Sequence, residues 1–160
     1  MMIMNKHNWK TYALWILLTE AVGGLSGWLT KDAMQVYMDT IAQPPLSPPG
    51  WLFPIVWGIL YALLGFSGAR IWLSEASRNR SWGINLYIIQ LVVNFFWSLI
   101  FFNLQAFGAA FFWLLLLWGL VLGMILVFYK VEPLAGKLQI PYLIWLTFAA
   151  YLNFGVWLLN

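Results

Sequence analysis

Five long apolar stretches, separated by short polar connectors, fill almost the whole chain. They run Tyr12–Leu29, Trp51–Leu73, Gly83–Phe102, Phe107–Tyr129 and Ile140–Leu159. Each is close to the roughly 20 residues an α-helix needs to cross about 30 Å of hydrocarbon. The expected fold is all-α, a bundle of five transmembrane helices. Residues 1–160 make one domain, with residues 30–50 as an outer loop.

Composition agrees with a bilayer as the solvent. The chain is 63% hydrophobic and 8% charged, against about 25% charged for a soluble domain. A soluble core of this size would need a polar shell that these residues cannot supply. Five spans and their loops use the length, leaving no room for a soluble enzymatic module. The chain has no cysteine, which excludes disulfides, thiol catalysis and thiolate metal sites. The net charge of +3 is too small and dispersed to suggest nucleic acid, and the basic residues sit at span ends, where membrane anchors sit.

The N-terminal pattern has some features of a signal peptide: Lys6, His7 and Lys10, then an apolar run, then small residues at Ala21–Gly24. Glu20 interrupts it and apolar character resumes through Leu29, so an uncleaved first span is expected. Lys6, Lys10, Arg78, Arg80, Lys130 and Lys137 fall on one side of a five-span topology, with Arg70 able to snorkel towards it. The other side carries Lys31 beside Asp32 and Asp39. The positive-inside rule then puts the N-terminus in the cytoplasm and the C-terminus outside. In the outer loop, Pro44, Pro45, Pro48 and Pro49 fix φ and remove backbone donors. This stretch is rigid, and either covers the bundle mouth or straps the first two helices.

Aromatic residues make up 19% of the chain, including 12 tryptophans. Trp9, Trp28, Trp51, Trp72, Trp82 and Trp157 lie near span ends, as an interfacial belt requires. Trp57, Trp97, Trp118 and Trp145 lie deeper. Helical spacing puts Phe53, Trp57, Leu60, Tyr61 and Leu64 on one face. It does the same for Gln90, Asn94, Trp97 and Ser98, and for Trp145, Ala149, Leu152, Asn153 and Val156. Polar groups avoid lipid, so the faces of Gln90, Asn94 and Asn153 point into the bundle and carry their tryptophans with them. Two readings of these faces stay open: an aromatic ligand cavity, or interhelical hydrogen-bond glue with aromatic packing.

Glu20 lies near a span centre, where a charge costs about 2.5–3.5 kcal/mol on insertion scales. The plainer expectation is a protonated acid bonded to a neighbouring helix; the sharper one is proton handling or substrate contact. With no second deep carboxylate, deep histidine or phosphate loop, hydrolytic, nucleotide-driven and metal mechanisms have no residues to use. No metal site and no cofactor are expected. Gly23-x-x-x-Gly27 and Gly119-x-x-x-Gly123 allow close approach of helices, within one bundle or between subunits.

The run Gln43-Pro44-Pro45-Leu46-Ser47-Pro48-Pro49-Gly50-Trp51, followed by Pro54-Ile55-Val56-Trp57-Gly58-Ile59-Leu60-Tyr61, closely resembles the translocator protein family (TspO/MBR, the tryptophan-rich sensory proteins). So do Asn94-Phe95-Phe96-Trp97, Pro141-Tyr142-Leu143-Ile144-Trp145 and Leu152-Asn153. The small, basic chain resembles bacterial members, which implies a bacterial cell membrane. The resemblance implies a five-helix bundle, usually a homodimer, with a ligand cavity under the first loop. It implies porphyrins such as protoporphyrin IX as ligands, with isoquinoline carboxamides and benzodiazepines. Matching positions imply that Trp57, Tyr61, Asn94, Trp97, Trp145, Phe148, Ala149 and Leu152 line the cavity. Trp51 and Phe53 complete the ligand-binding candidates.

Some bacterial members degrade protoporphyrin in light and oxygen, which would make Trp57 and Trp145 the catalytic candidates. Animal members carry a cholesterol motif with tyrosine after Leu-Asn; here Phe154 takes that place, so sterol recognition is not carried over. The functional expectation is a membrane-embedded receptor for flat hydrophobic ligands, porphyrins first, with lipid around it. The alternatives are a light- and oxygen-dependent protoporphyrin-degrading enzyme and a porphyrin transporter. The orientation has a direct test. Single cysteines at Ser47 and Ser77, treated with an impermeant thiol reagent in intact cells, should label at 47 and not at 77. The reverse pattern would overturn the charge argument.

Overall fold

The computed structural model describes residues 8–160; Lys6, which entered the charge argument, and His7, read with it in the N-terminal pattern, lie outside them. Every regular element among the described residues is helical: α1 (Asn8–Thr40), α2 (Leu52–Trp72), α3 (Arg78–Ser98), α4 (Phe107–Val131), a short α5 (Pro133–Lys137) and α6 (Ile140–Leu159). A π-helical turn, Leu99–Asn103, continues α3. Five segments are long and apolar enough to cross a membrane: α1, α2, α3 with its π turn, α4, and α5 joined to α6. Helices close all their backbone hydrogen bonds within the segment, which lipid demands. The chain is an integral membrane protein built as a five-helix bundle.

The first span departs most from expectation. α1 does not stop at Leu29 but runs on to Thr40, so the connector to α2 is residues 41–51 and not 30–50. Residues 30–40 contain no glycine or proline to stop a helix. They also have something to pack against: Tyr37 is buried, edge-on to Phe101 and Phe102, and Met34 and Met38 join the core. The helix ends as the chain nears Pro44-Pro45, because proline disfavours helical backbone in the residue before it. α3 starts at Arg78 and not Gly83, because the Ser77 hydroxyl accepts from the Arg80 N–H at 3.0 Å and caps it. The short α5 lies inside the stretch read as a plain loop, 130–139, with Pro133 in its first turn.

The proline-rich connector is a strap tied to α6. The Tyr151 hydroxyl donates to the Pro45 carbonyl at 2.6 Å, and Asn160 holds both the N–H and the C=O of Ala42. A Cβ on Gly155 would lie 2.5 Å from the ring of Pro44, so only glycine lets the strap sit this close.

Close contact between α1 and α2 also rests on glycine. A Cβ on Gly65 would stand 2.5 Å from Cα of Ile16, and one on Gly68 would stand 2.6 Å from the Trp15 ring. Towards the expected cytoplasmic end, Arg70 of α2 pairs with Glu132, and the Tyr12 hydroxyl of α1 lies 3.5 Å from the guanidinium. The α1–α2 contact gives a stability prediction. Gly65→Ala, whose new methyl meets fixed backbone, should lower stability by about 1–3 kcal/mol, the usual cost of overpacking. Gly58→Ala, with nothing within 4 Å of the added atom, should leave it unchanged. Thermal melts in detergent would compare the two, and equal melts would show that α1 can move away from α2.

Candidate ligand-binding site

A cavity of about 500 Å³ lies among α1, α2, the α3–π segment and α6. That volume suits a drug-sized organic ligand. Its wall is built in layers. Asn94, read as lining, stands behind the wall: it is buried, accepts from the Tyr61 hydroxyl at 2.9 Å and donates to the Tyr142 hydroxyl at 2.6 Å. Tyr142 donates in turn to Gln90 Oε1 at 2.7 Å. This chain ties α2, α3 and α6 together where no water is available, so each partner is difficult to replace. It also fixes the Tyr61 ring as a rigid face of the cavity.

On that face Trp57 stacks against Tyr61 at 5.4 Å and 28°, one helical turn away. Trp145 of α6 meets Trp57 edge-on at 6.4 Å and 89°, and Phe53 packs on Trp145 at 6.1 Å. Phe53, Trp57, Tyr61, Trp97, Trp145, Ala149 and Leu152 all line the cavity. Trp97 is held from behind: its Nε1 donates to Asn153 Oδ1 at 3.1 Å, and Asn153 donates to the Phe107 carbonyl at 2.8 Å. The Trp145 indole N–H is buried and has no acceptor among the described residues. An unpaired buried donor costs about 1–3 kcal/mol.

Three sequence-based site residues stand elsewhere. Asn94 acts through Tyr61. Trp51 is 67% exposed and lies outside the cavity, because it precedes α2 and turns away with the other belt tryptophans. Phe148 packs behind Trp145 at 5.6 Å and stacks on Tyr151, supporting the wall without forming it. Trp118 is a packing residue, its Nε1 bonded to Thr147 Oγ1 at 2.9 Å.

Sequence reasoning missed the contribution of α1. Glu20, Gly24, Gly27 and Lys31 form one stripe along the cavity, with Thr30 and Met34 beside it. Their spacing of 4, 3 and 4 residues was the available signal, since it puts them on a single helical face. Glu20 does not bond to a neighbouring helix as expected; it lines the cavity and, among the described residues, has no hydrogen bond or ion pair. Phe101 and Phe102 both line the cavity although adjacent in sequence. The π turn, marked by Leu104 N–H bonding back to the Leu99 carbonyl at 3.0 Å, departs from α-helical spacing there.

Fold and site define a class: a small five-helix membrane bundle enclosing an aromatic cavity. The chain belongs to the TspO/MBR family, whose sequence profile matches residues 15–158. Among its relatives is the tryptophan-rich protein TspO of Chlorobaculum tepidum, 38% identical and covering 94% of this chain and 96% of that one. Protein CrtK of Rhodobacter capsulatus is 38% identical over 78% of each chain. The translocator protein of Ovis aries is 34% identical over 91% of this chain and 88% of its own.

Ala149 lies one turn from Trp145 on the cavity wall and is 7% exposed. Ala149→Thr adds a branched polar group with a stiff χ1. It should weaken binding of protoporphyrin IX by about 1–2 kcal/mol, in the range of overpacking. Trp51→Ala should leave binding unchanged. Absorbance titration of the purified variants would read both, and a loss confined to Trp51→Ala would move the site out to the strap.

Proposed function

We propose that this protein is a membrane receptor for flat hydrophobic ligands, porphyrins first, with isoquinoline- and benzodiazepine-type compounds in the same cavity. The observation that carries this reading is the corner formed by Trp57, Tyr61 and Trp145. Two ring planes at right angles offer a stacking face and an edge to a planar guest, and aromatic pairs favour both geometries. The Trp145 N–H, buried without an acceptor among the described residues, would meet a ligand carbonyl or carboxylate after a small turn of the indole. Phe53, Trp97, Ala149 and Leu152 would supply apolar contact, with Asn94 and Phe148 as supports.

The functional unit in this reading is a homodimer in a bacterial cell membrane, N-terminus in the cytoplasm. Gly119 and Gly123 of α4 support a second copy, since neither has an atom within 4 Å of an added Cβ. Their spacing permits close helix approach.

A second reading is favoured by the Trp57–Trp145 contact itself: light- and oxygen-dependent degradation of bound protoporphyrin. An excited porphyrin generates singlet oxygen, with which indole reacts readily, and an indole in contact can also donate an electron. Phenylalanine keeps a flat apolar ring but lacks the N–H and the low oxidation potential. Trp57→Phe and Trp145→Phe should retain most porphyrin binding yet slow or stop loss of the pigment under illumination. Absorbance spectra of illuminated and dark samples would separate binding from turnover. Wild-type bleaching in both variants would leave the receptor reading alone.

A further inference from the structure

We propose that the Glu20 end of the cavity is a subsite for an organic cation, so that the protein also takes flat aromatic amines. The inference rests on the reading of the cavity as a ligand site and adds a ligand class to it.

Glu20 lies mid-way along the apolar part of α1, where a carboxylate is costly without a partner. Such residues normally face a partner helix or a water-filled space. Among the described residues no group satisfies it: Glu20 lines the cavity and makes neither hydrogen bond nor ion pair with any of them. Its role is therefore not interhelical glue.

The surroundings of Glu20 select the sign of a guest. One turn along α1, Gly23 abuts the Tyr61 ring so closely that a Cβ there would overlap it. Tyr61 carries Trp57 stacked upon it. Aromatic faces attract cations through their quadrupole, most strongly when desolvated. A carboxylate lining the same cavity as these two aromatic rings thus adds a second attraction for one positive group.

Among the described residues no cation competes for that position. Of the lining residues, α2 contributes Tyr61 as its ionisable group, whereas the α3–π segment and α6 contribute none. The remaining charged lining residue is Lys31. It stands eleven residues from Glu20, about 16 Å along the helix axis. Its ammonium reaches back to 5.7 Å from the Trp28 ring centroid and makes no ion pair with Glu20. Gly24 and Gly27 lie between the two, with nothing within 4 Å of an added Cβ, so the floor leading to Glu20 is unobstructed. A guest with a planar ring and an ammonium or amidinium group fits: ring against Trp57 and Tyr61, cation against Glu20.

The test pairs two probes of one shape. 9-Aminoacridine is a flat cation at neutral pH; acridine is its neutral counterpart. Each is titrated by fluorescence into the full-length protein in uncharged detergent, with protoporphyrin IX titrated separately and used as competitor. Wild type should bind 9-aminoacridine more tightly than acridine, and protoporphyrin should displace it. Glu20→Gln should weaken 9-aminoacridine about ten-fold or more, the scale of losing a charge-assisted contact. Acridine should stay within about two-fold and protoporphyrin, itself a dicarboxylate, should bind no more weakly, which also reports that the variant is folded. Equal affinity of Glu20→Gln and wild type for 9-aminoacridine, with protoporphyrin still bound, would overturn the cation subsite and leave the cavity reading standing. Failure of wild type to bind any of the three would overturn both.

Discussion

The buried hydrogen-bond chain Tyr61–Asn94–Tyr142–Gln90 is the interaction on which the rest of this structure depends. In hydrocarbon, an amide or phenol without a partner has no water to turn to, so polar side chains are driven to find each other across helices. That pull brings α2, α3 and α6 into register around side chains too large to let the backbones meet. The space left beside the large side chains is the cavity. One constraint thus both holds the bundle together and keeps it open.

The aromatic residues divide according to whether the chain gives them a polar partner. Trp97 and Trp113 donate to fixed acceptors and serve as interior supports. Trp118 reaches Thr147 at the periphery. Trp9, Trp51, Trp72, Trp82 and Trp157 are exposed near helix ends, where an indole can lie half in lipid and half in water, whereas Trp28 is exposed in the middle of α1 because that helix runs on to Thr40. Trp145 alone combines a cavity position with a buried, unpaired N–H. Satisfied indoles contribute rigidity; Trp145 leaves a buried donor unpaired in a cavity-lining side chain. This division explains why an aromatic-rich bundle can be both stiff and receptive.

Glycine works at two scales. Where α1 crosses α2 at Gly65 and Gly68, the missing Cβ permits contact of helix backbone with a neighbouring helix or ring. Where α1 passes the cavity at Gly24 and Gly27, the missing Cβ leaves room. The same residue closes one half of the α1–α2 seam and opens the other. Gly155 beneath Pro44 repeats the first use, fastening the strap to α6 and leaving none of residues 41–51 on the cavity wall.

By itself the sequence determined the solvent, the helix count and the inward faces. These follow from local rules: about 20 apolar residues span a bilayer, and buried amides mark the faces they share. Gln90, Asn94 and Asn153 are accordingly all buried, and Trp57, Trp97 and Trp145 reach the cavity with them. Three matters were decided only by tertiary structure. α1 continues to Thr40 because Tyr37 finds Phe101 and Phe102, a contact between segments far apart in the chain. Asn94 stands behind the wall and not on it because Tyr61 and Tyr142 claim its side chain. Glu20 faces the cavity because α1 packs on α2 through Gly65 and Gly68, which sets the rotation of the whole helix. Periodicity gives the faces of each helix, but which face meets which neighbour depends on the packing of all five.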